Sequence, residues 1–373
     1  MERIKVLRII GECKTGGTET VALNYYKNIN HDAIAMDFLF YGISLPRFNK
    51  ELEAHGDKVI NVCSYTTNLV RSIVEIRDVV KAEEYDIVHA QLNALNVFPL
   101  LGAYLGGAKI RIAANHSTAN LKYEFKKSLI KYIARPTAAL FATHYAACSE
   151  CAGVWCFGKR ALRERKVKVI HNAIDLTKFT FSYEIRNKVR KENGWDGRYV
   201  IGHGGRFTKQ KNHKFMVEIF YEVQKRCPDS LLVFAGEGHL MEGIQKQVEV
   251  FGLTDKVQFL GVRFDMNELM QGMDLFLFPS LYEGLGNVIT EAQAVGLRCV
   301  VSSAVPSEVK MTDLVDSLPL SKSAAEWADR VAAYSNGYLR SSRHSDLINA
   351  GYEIKTAASD LEKYYQGLLV THS

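Results

Sequence analysis

Short apolar runs bounded by turn residues alternate with segments of helical periodicity along almost the whole of this chain. In the first half the strand-like runs cover residues 4–10, 34–41, 58–62, 85–89, 109–114 and 140–147. Apolar residues recur at helical spacing between them, as in Val21, Tyr25 and Ile29, or Ile73, Ile76 and Val80. The second half repeats the pattern with runs at 199–205, 231–236, 256–260, 274–280 and 298–302. Strands separated by helices imply parallel pairing, and parallel sheets are covered by helices on both faces. With 373 residues the chain exceeds one such domain, so two doubly wound α/β domains are expected. The joint falls in 169–179, ahead of the polar stretch 182–195, which sets the domains at 1–180 and 181–351. The remaining segment, 352–373, carries Ile354, Ala358, Leu361 and Tyr365 on one stripe and reads as a helix.

Composition narrows the class. Hydrophobic content of 47% with 24% charge is that of a soluble globular protein. No run approaches the ~20 apolar residues that span a bilayer, and the charged start is too poor in apolar residues for a signal peptide. A cytoplasmic protein is expected. The seven cysteines are scattered. The CxxC of Cys148 and Cys151 has no second ligand pair at zinc-site spacing, so reduced thiols are expected. Asp-x-Asp is absent from the sequence, and no metal is expected. The formal charge of +6 is uneven: residues 101–180 hold 14 Lys/Arg against 4 Asp/Glu. That segment points to an acidic partner, whether nucleic acid, anionic lipid or a phosphorylated substrate. It has no recognisable nucleic-acid-binding motif, and its charges are interleaved with strand and helix periodicity, so no nucleic acid is expected.

In open parallel sheets ligands bind beyond the carboxyl ends of the strands. After the first run come Gly16 and Gly17, where backbone can approach a ligand closely at a helix start. After the fifth comes His116, either a structural hydrogen-bonder or a catalytic group. After the first run of the second half, Gly202-His-Gly-Gly-Arg-Phe-Thr-Lys-Gln-Lys-Asn-His213 is no Walker loop, yet it places Arg206 and Lys211 at a strand-to-helix turn. An Arg fork and a mobile Lys charge can neutralise a leaving diphosphate. Val262 and Arg263 follow Gly261 where backbone groups could meet a base. Glu283 and Glu291 stand eight positions apart, the first in the loop after the 274–280 run and the second inside the following helix. Between them lie Gly284, Leu285, Gly286 and Asn287, at a helix N-terminus suited to phosphate. Carboxylates on either side of a phosphate site suit a ligand with hydroxyls at both ends, such as a nucleotide-diphosphate sugar. Solvated glutamates in an ordinary βαβ unit are the alternative.

Gly16-Gly17, His116, Arg206 with Lys211, and the Glu283/Glu291 pair, in this order over two α/β domains, resemble the retaining glycosyltransferases of family 4. The second half matches most closely, in IGHGGRFTKQKNH, KVQFLGV and DLFLFPSLYEGLGNVITEAQAVG, and it is similar to the bacterial branch that builds exopolysaccharide or capsule. The resemblance implies the GT-B fold, two Rossmann-like domains facing across a cleft with the terminal helix crossing back to the first. It implies an acceptor-binding N-terminal domain and a donor-binding C-terminal one. Glu291 would hold the ribose hydroxyls and Glu283 the donor sugar. Arg206, Lys211 and the amides of Leu285, Gly286 and Asn287 would hold the diphosphate, and His116 the hexose. Two positions depart from the family pattern: Gly286-Asn287 stands where Pro-Leu is frequent, and His171-Asn-Ala173 where Pro-Asn-Gly is frequent.

The expected reaction moves a hexosyl group, with retention, from a nucleotide-diphosphate sugar, UDP by the family branch, to a saccharide or lipid-linked acceptor. An epimerase or hydrolase on the same donor, or a non-catalytic nucleotide-sugar or nucleic-acid binder, is the alternative. Within 120–135, Leu121, Phe125, Leu129 and Tyr132 or Ile133 share a helical face flanked by Lys122, Lys126, Lys127, Lys131 and Arg135. This suits either a helix lying on anionic membrane or a core-facing helix with a solvated basic rim.

Overall fold

The computed structural model describes residues 3–12, 17–44, 46–118 and 125–371. They form two compact units. The first takes in the chain as far as Asp175 together with the terminal segment from Gly351, and the second runs from Leu176 to Ala350.

In the first unit seven strands are parallel throughout: β1 (Ile4–Glu12), β2 (Ile34–Tyr41), β3 (Val59–Val62), β4 (Ile87–Ala90), β5 (Ile110–Asn115), β6 (His144–Ala147) and β7 (Val167–Val169). Their order is β3-β2-β1-β4-β5-β6-β7. Successive side chains of β1 point to opposite faces, so Val6 and Ile10 enter one core while Leu7 and Ile9 enter the other. The first core is closed by the helices Gly17–Tyr26 and Pro46–Glu53 and by the terminal Ile354–Val370. The terminal helix contributes Ile354, Ala358, Leu361, Tyr365 and Leu368. Its start is set by Glu353, whose carboxylate accepts from the amides of Lys355 (2.9 Å) and Thr356 (2.7 Å).

The second unit holds β8 (Tyr199–Gly204), β9 (Ser230–Ala235), β10 (Val257–Phe259), β11 (Leu275–Phe278), β12 (Cys299–Ser302) and β13 (Val315–Leu318), again all parallel. The order is β10-β9-β8-β11-β12-β13. Ile201, Leu232, Leu277 and Val300 fill one face, and Val200, Val233, Phe276 and Val301 the other. Both units are doubly wound sheets, as the alternation of runs predicts. In each, the order reverses between two central strands, β1 and β4 in the first and β8 and β11 in the second. Such a reversal opens a crevice at the carboxyl ends of those strands.

Two strands go beyond the sequence reading. β7, Val-Lys-Val, and β13, Val-Asp-Ser-Leu, are short outermost strands with polar residues between the apolar ones, too brief to stand out as runs. The expected run at 140–147 shortens to β6, because Leu140 sits in a turn and is 65% exposed.

Candidate active site

The crevice between β8 and β11 gathers most of the residues singled out in the second half. β8 ends at Gly204, and the chain then lies against the ends of β9 and β10. Gly205 N–H donates to Ala235 O (2.9 Å), Phe207 N–H to Glu237 O (2.9 Å), and Gly236 N–H to Gly261 O (2.7 Å). Gly236 has φ +138°, and a Cβ there would lie 2.2 Å from Gly205 O, so this close approach requires glycine. Phe207 turns inward and stacks on His213 (4.0 Å between centroids). Arg206 is thereby turned outward; it is exposed, with no side-chain hydrogen bond or ion pair among the described residues.

A 3₁₀ turn, Lys209–Lys211, brings the next two side chains onto the loop after β11. Lys211 Nζ lies 2.8 Å from Glu283 Oε1 and 4.6 Å from the centroid of Phe278. Gln210 Nε2 donates to Glu283 Oε2 (3.1 Å) and to Tyr282 O (3.0 Å). The backbone joins in, with Leu281 N–H donating to Gln210 O (2.8 Å) and Asn212 Nδ2 to Pro279 O (3.1 Å). Glu283 is 6% exposed, so its charge needs these donors. Below the turn, His203 and His213 are buried and neutral: burial holds both well below the usual imidazole range, His213 at about 3, and the Lys211 charge acts in the same direction.

From Glu283 the chain passes through buried Gly284 and Leu285 to Gly286, which caps the Asn287–Ala294 helix. Gly286 has φ +100° and ψ 63°, a left-handed conformation natural to glycine, and it offers the first-turn amides no side-chain acceptor. Glu291 lies one turn further on, half-buried. Its carboxyl makes no hydrogen bond or ion pair among the described residues, and burial pushes it up to about 7. Across the second unit, then, stand an outward Arg206, a Lys211–Glu283 pair, a helix start and an unsatisfied carboxyl. Val262 is 38% exposed, and Arg263 forks onto Asp265 (2.8 Å from Nε), which raises the guanidinium's pKa further.

Gly16 lies outside the described residues, and Gly17 opens the Gly17–Tyr26 helix. His116 follows β5, its backbone N–H donating to Asn93 Oδ1 (2.7 Å). Its imidazole is neutral at physiological pH, pushed down to about 4 by burial and then by Arg8. Arg8, on β1, is itself 2% exposed, and burial lowers its pKa. Gln210 is the site residue that sequence reasoning missed. It stands beside Lys211 in the quoted motif, but its bond to Glu283 spans 73 residues, and only the sheet order brings the two loops together.

Residues 15–178 match the family model described as Glycosyltransferase Family 4, and residues 198–336 the model described as Glycosyl transferases group 1. The chain belongs to this glycosyltransferase family and is a hexosyltransferase. It is similar to the putative glycosyltransferase EpsF of Bacillus subtilis (strain 168), at 31% identity over 97% of this chain and 96% of that protein. It is 28% identical to UDP-Gal:alpha-D-GlcNAc-diphosphoundecaprenol alpha-1,3-galactosyltransferase of Escherichia coli, over 63% of this chain and 62% of that one. Among solved structures, Anabaena Alr3699/HepE in complex with UDP and glucose gives a TM-score of 0.76 at 19% identity, covering 99% of both chains. WaaG, a glycosyltransferase involved in lipopolysaccharide biosynthesis, gives 0.70 at 14% identity, covering 98% of this chain and all of that one. These likenesses assign the GT-B fold.

Proposed function

We propose that the chain transfers a hexosyl group from a UDP-sugar to a saccharide or lipid-linked saccharide acceptor in polysaccharide biosynthesis, with retention of configuration. One observation carries the donor half of this reading: Glu291, an unsatisfied carboxyl one helical turn from the amides of Gly286 and Asn287, beside a Lys211–Glu283 pair and an outward Arg206. Glu291 accepts the two ribose hydroxyls. Arg206, Lys211 and the helix start take the diphosphate, and Glu283 faces the hexose. As the glycosidic bond breaks, negative charge grows on the diphosphate, and these preorganised groups stabilise it. The departing phosphate oxygen takes the acceptor proton on the same face, which retains configuration without requiring a metal.

The relatives favour UDP and a lipid-linked acceptor. The Escherichia coli enzyme is named for UDP-Gal and a diphosphoundecaprenol acceptor, and the Anabaena structure holds UDP and glucose. The first unit is assigned to the acceptor, with His116 as a neutral hydrogen-bonding group. Within 120–135, residues 120–124 lie outside the described structure, and of the later apolar positions Leu129, Tyr132 and Ile133 are exposed at 39%, 37% and 68%. Their exposure favours contact with an anionic membrane at its cytoplasmic face over a core-facing role. No helix among the described residues is long and apolar enough to cross a membrane.

Thermal-shift and calorimetric titration with UDP- and GDP-hexoses tests the donor assignment. UDP-sugars raise the melting temperature and bind without added metal, in the presence of EDTA. Binding of GDP-sugars alone, or an absolute need for divalent cation, would reject this reading.

A further inference from the structure

Two neighbouring residues of one turn, Gln210 and Lys211, both reach the Glu283 carboxylate. The amide of Gln210 is fixed by what surrounds it: Tyr282 O at 3.0 Å and Glu283 Oε2 at 3.1 Å are both acceptors, so the NH₂ group must face them. The other carboxylate oxygen, Oε1, takes Lys211 Nζ at 2.8 Å. A single contact would leave the carboxylate able to rotate about its own axis, whereas one donor on each oxygen sets the plane of the group. The support beneath the turn is itself rigid. Lys211 N–H donates to Thr208 O (3.1 Å) and Asn212 N–H to Lys209 O (3.1 Å), while Leu281 N–H and Asn212 Nδ2 tie the turn to the 279–283 loop.

We infer that Gln210 is a positioning residue, which aims the Glu283 carboxylate at the donor sugar by a neutral hydrogen bond opposite the Lys211 ion pair. This rests on the reading of Glu283 as the sugar-side group. A neutral donor suits the position. Lys211 already sets a positive charge against the carboxylate, and a carboxylate at position 210 would repel Glu283. Among the described residues Gln210 makes no hydrogen bond to the helix start or to Glu291, so its loss leaves nucleotide binding in place and disturbs the orientation of Glu283. Misplacing a reacting group by about 1 Å costs up to about a hundredfold in rate.

The test uses the full chain, with UDP-glucose and UDP-galactose as probes and UDP release as the measure of turnover. In Gln210→Ala, kcat falls about ten- to a hundredfold, while the Kd for UDP stays within about twofold. In Gln210→Glu, activity is lost at pH 8 and recovers on acidification, because the protonated carboxyl regains a donor for Glu283. The wild type shows no such acid-side recovery. A role confined to fold stability would leave both pH profiles alike once melting curves confirm folding. Should Gln210→Glu fail to fold, the split between kcat and UDP affinity in Gln210→Ala decides. An unchanged kcat in Gln210→Ala, or a wild-type pH profile in Gln210→Glu, overturns the inference and leaves the donor site standing. Failure of the wild type to bind UDP removes the donor reading and takes the inference with it.

Discussion

Glu291 offers a pH signature of ribose binding that can be worked out in advance. In the ligand-free protein burial holds its carboxyl at about 7, above an ordinary value of 4.5. Two hydroxyl donors from a ribose favour the charged form, so binding lowers this pKa and releases a proton. The sign follows: affinity rises with pH through 7. If the bound carboxyl titrates below 5, the Kd for UDP-glucose weakens about tenfold between pH 8 and pH 6, or roughly 1.4 kcal/mol. UDP-glucose suits the measurement because its diphosphate is a diester and does not titrate in this range. Calorimetry at both pH values, in buffers of different ionisation enthalpy, gives the affinity and the number of protons released. Glu291→Gln binds with a pH-independent Kd, about ten- to a hundredfold weaker at pH 8 because charge-assisted bonds are lost. Stability moves the other way. A folded-state pKa raised above the unfolded one means that stability falls as pH rises from 4.5 to 7, so ligand-free Glu291→Gln melts higher than wild type at pH 8. The gain is at most about 3 kcal/mol and is reduced by the partial exposure of the group. A wild-type Kd that is flat from pH 6 to 8, or a slope that survives in Glu291→Gln, would refute the assignment of Glu291 to the ribose.

Arg206→Ala and Lys211→Ala separate binding machinery from structure. Each raises the barrier by roughly 2–4 kcal/mol in turnover assays. Arg206→Ala keeps the wild-type melting temperature because Arg206 is exposed, whereas Lys211→Ala removes the ion-pair partner of buried Glu283 and loses about 3 kcal/mol of stability by denaturant titration. Gly236→Ala drives a Cβ against Gly205 O and forces the β8 and β9 loops apart; UDP binding is lost together with several kcal/mol of stability, roughly, and wild-type affinity would contradict this. Arg8 is buried without a carboxylate among the described residues, so Arg8→Met leaves the first unit equally stable or more stable by about 1–2 kcal/mol in thermal melts.

Unbroken apolar runs and helical stripes made both sheets legible, because strands buried on both faces must be continuously apolar. The outermost strands β7 and β13 escaped for the same reason: with polar residues such as Lys168 and Asp316 they lack that signature. At the site, residue types beyond the carboxyl ends of the strands singled out Arg206, Lys211, Glu283 and Glu291, since ligands of open parallel sheets bind there. What spacing could not supply was pairing between loops. Lys211 with Glu283, and Gln210 with both Tyr282 and Glu283, depend on β8 lying beside β11, an adjacency fixed by the fold rather than by the local sequence. Nor could sequence tell that the Glu291 carboxyl would be left unsatisfied and pushed up, while Glu283 would be clamped. Both are glutamates eight positions apart, and only burial and neighbours distinguish them.

The reaction itself is tested by incubating the wild-type protein with UDP-hexoses and diphosphoundecaprenol-linked saccharides and reading the product's anomeric centre by NMR. An α-linked hexose on the acceptor, formed by the wild type and lost in Arg206→Ala, is the predicted result. A β-linked product, or donor that is epimerised or hydrolysed while no acceptor is extended, would contradict it.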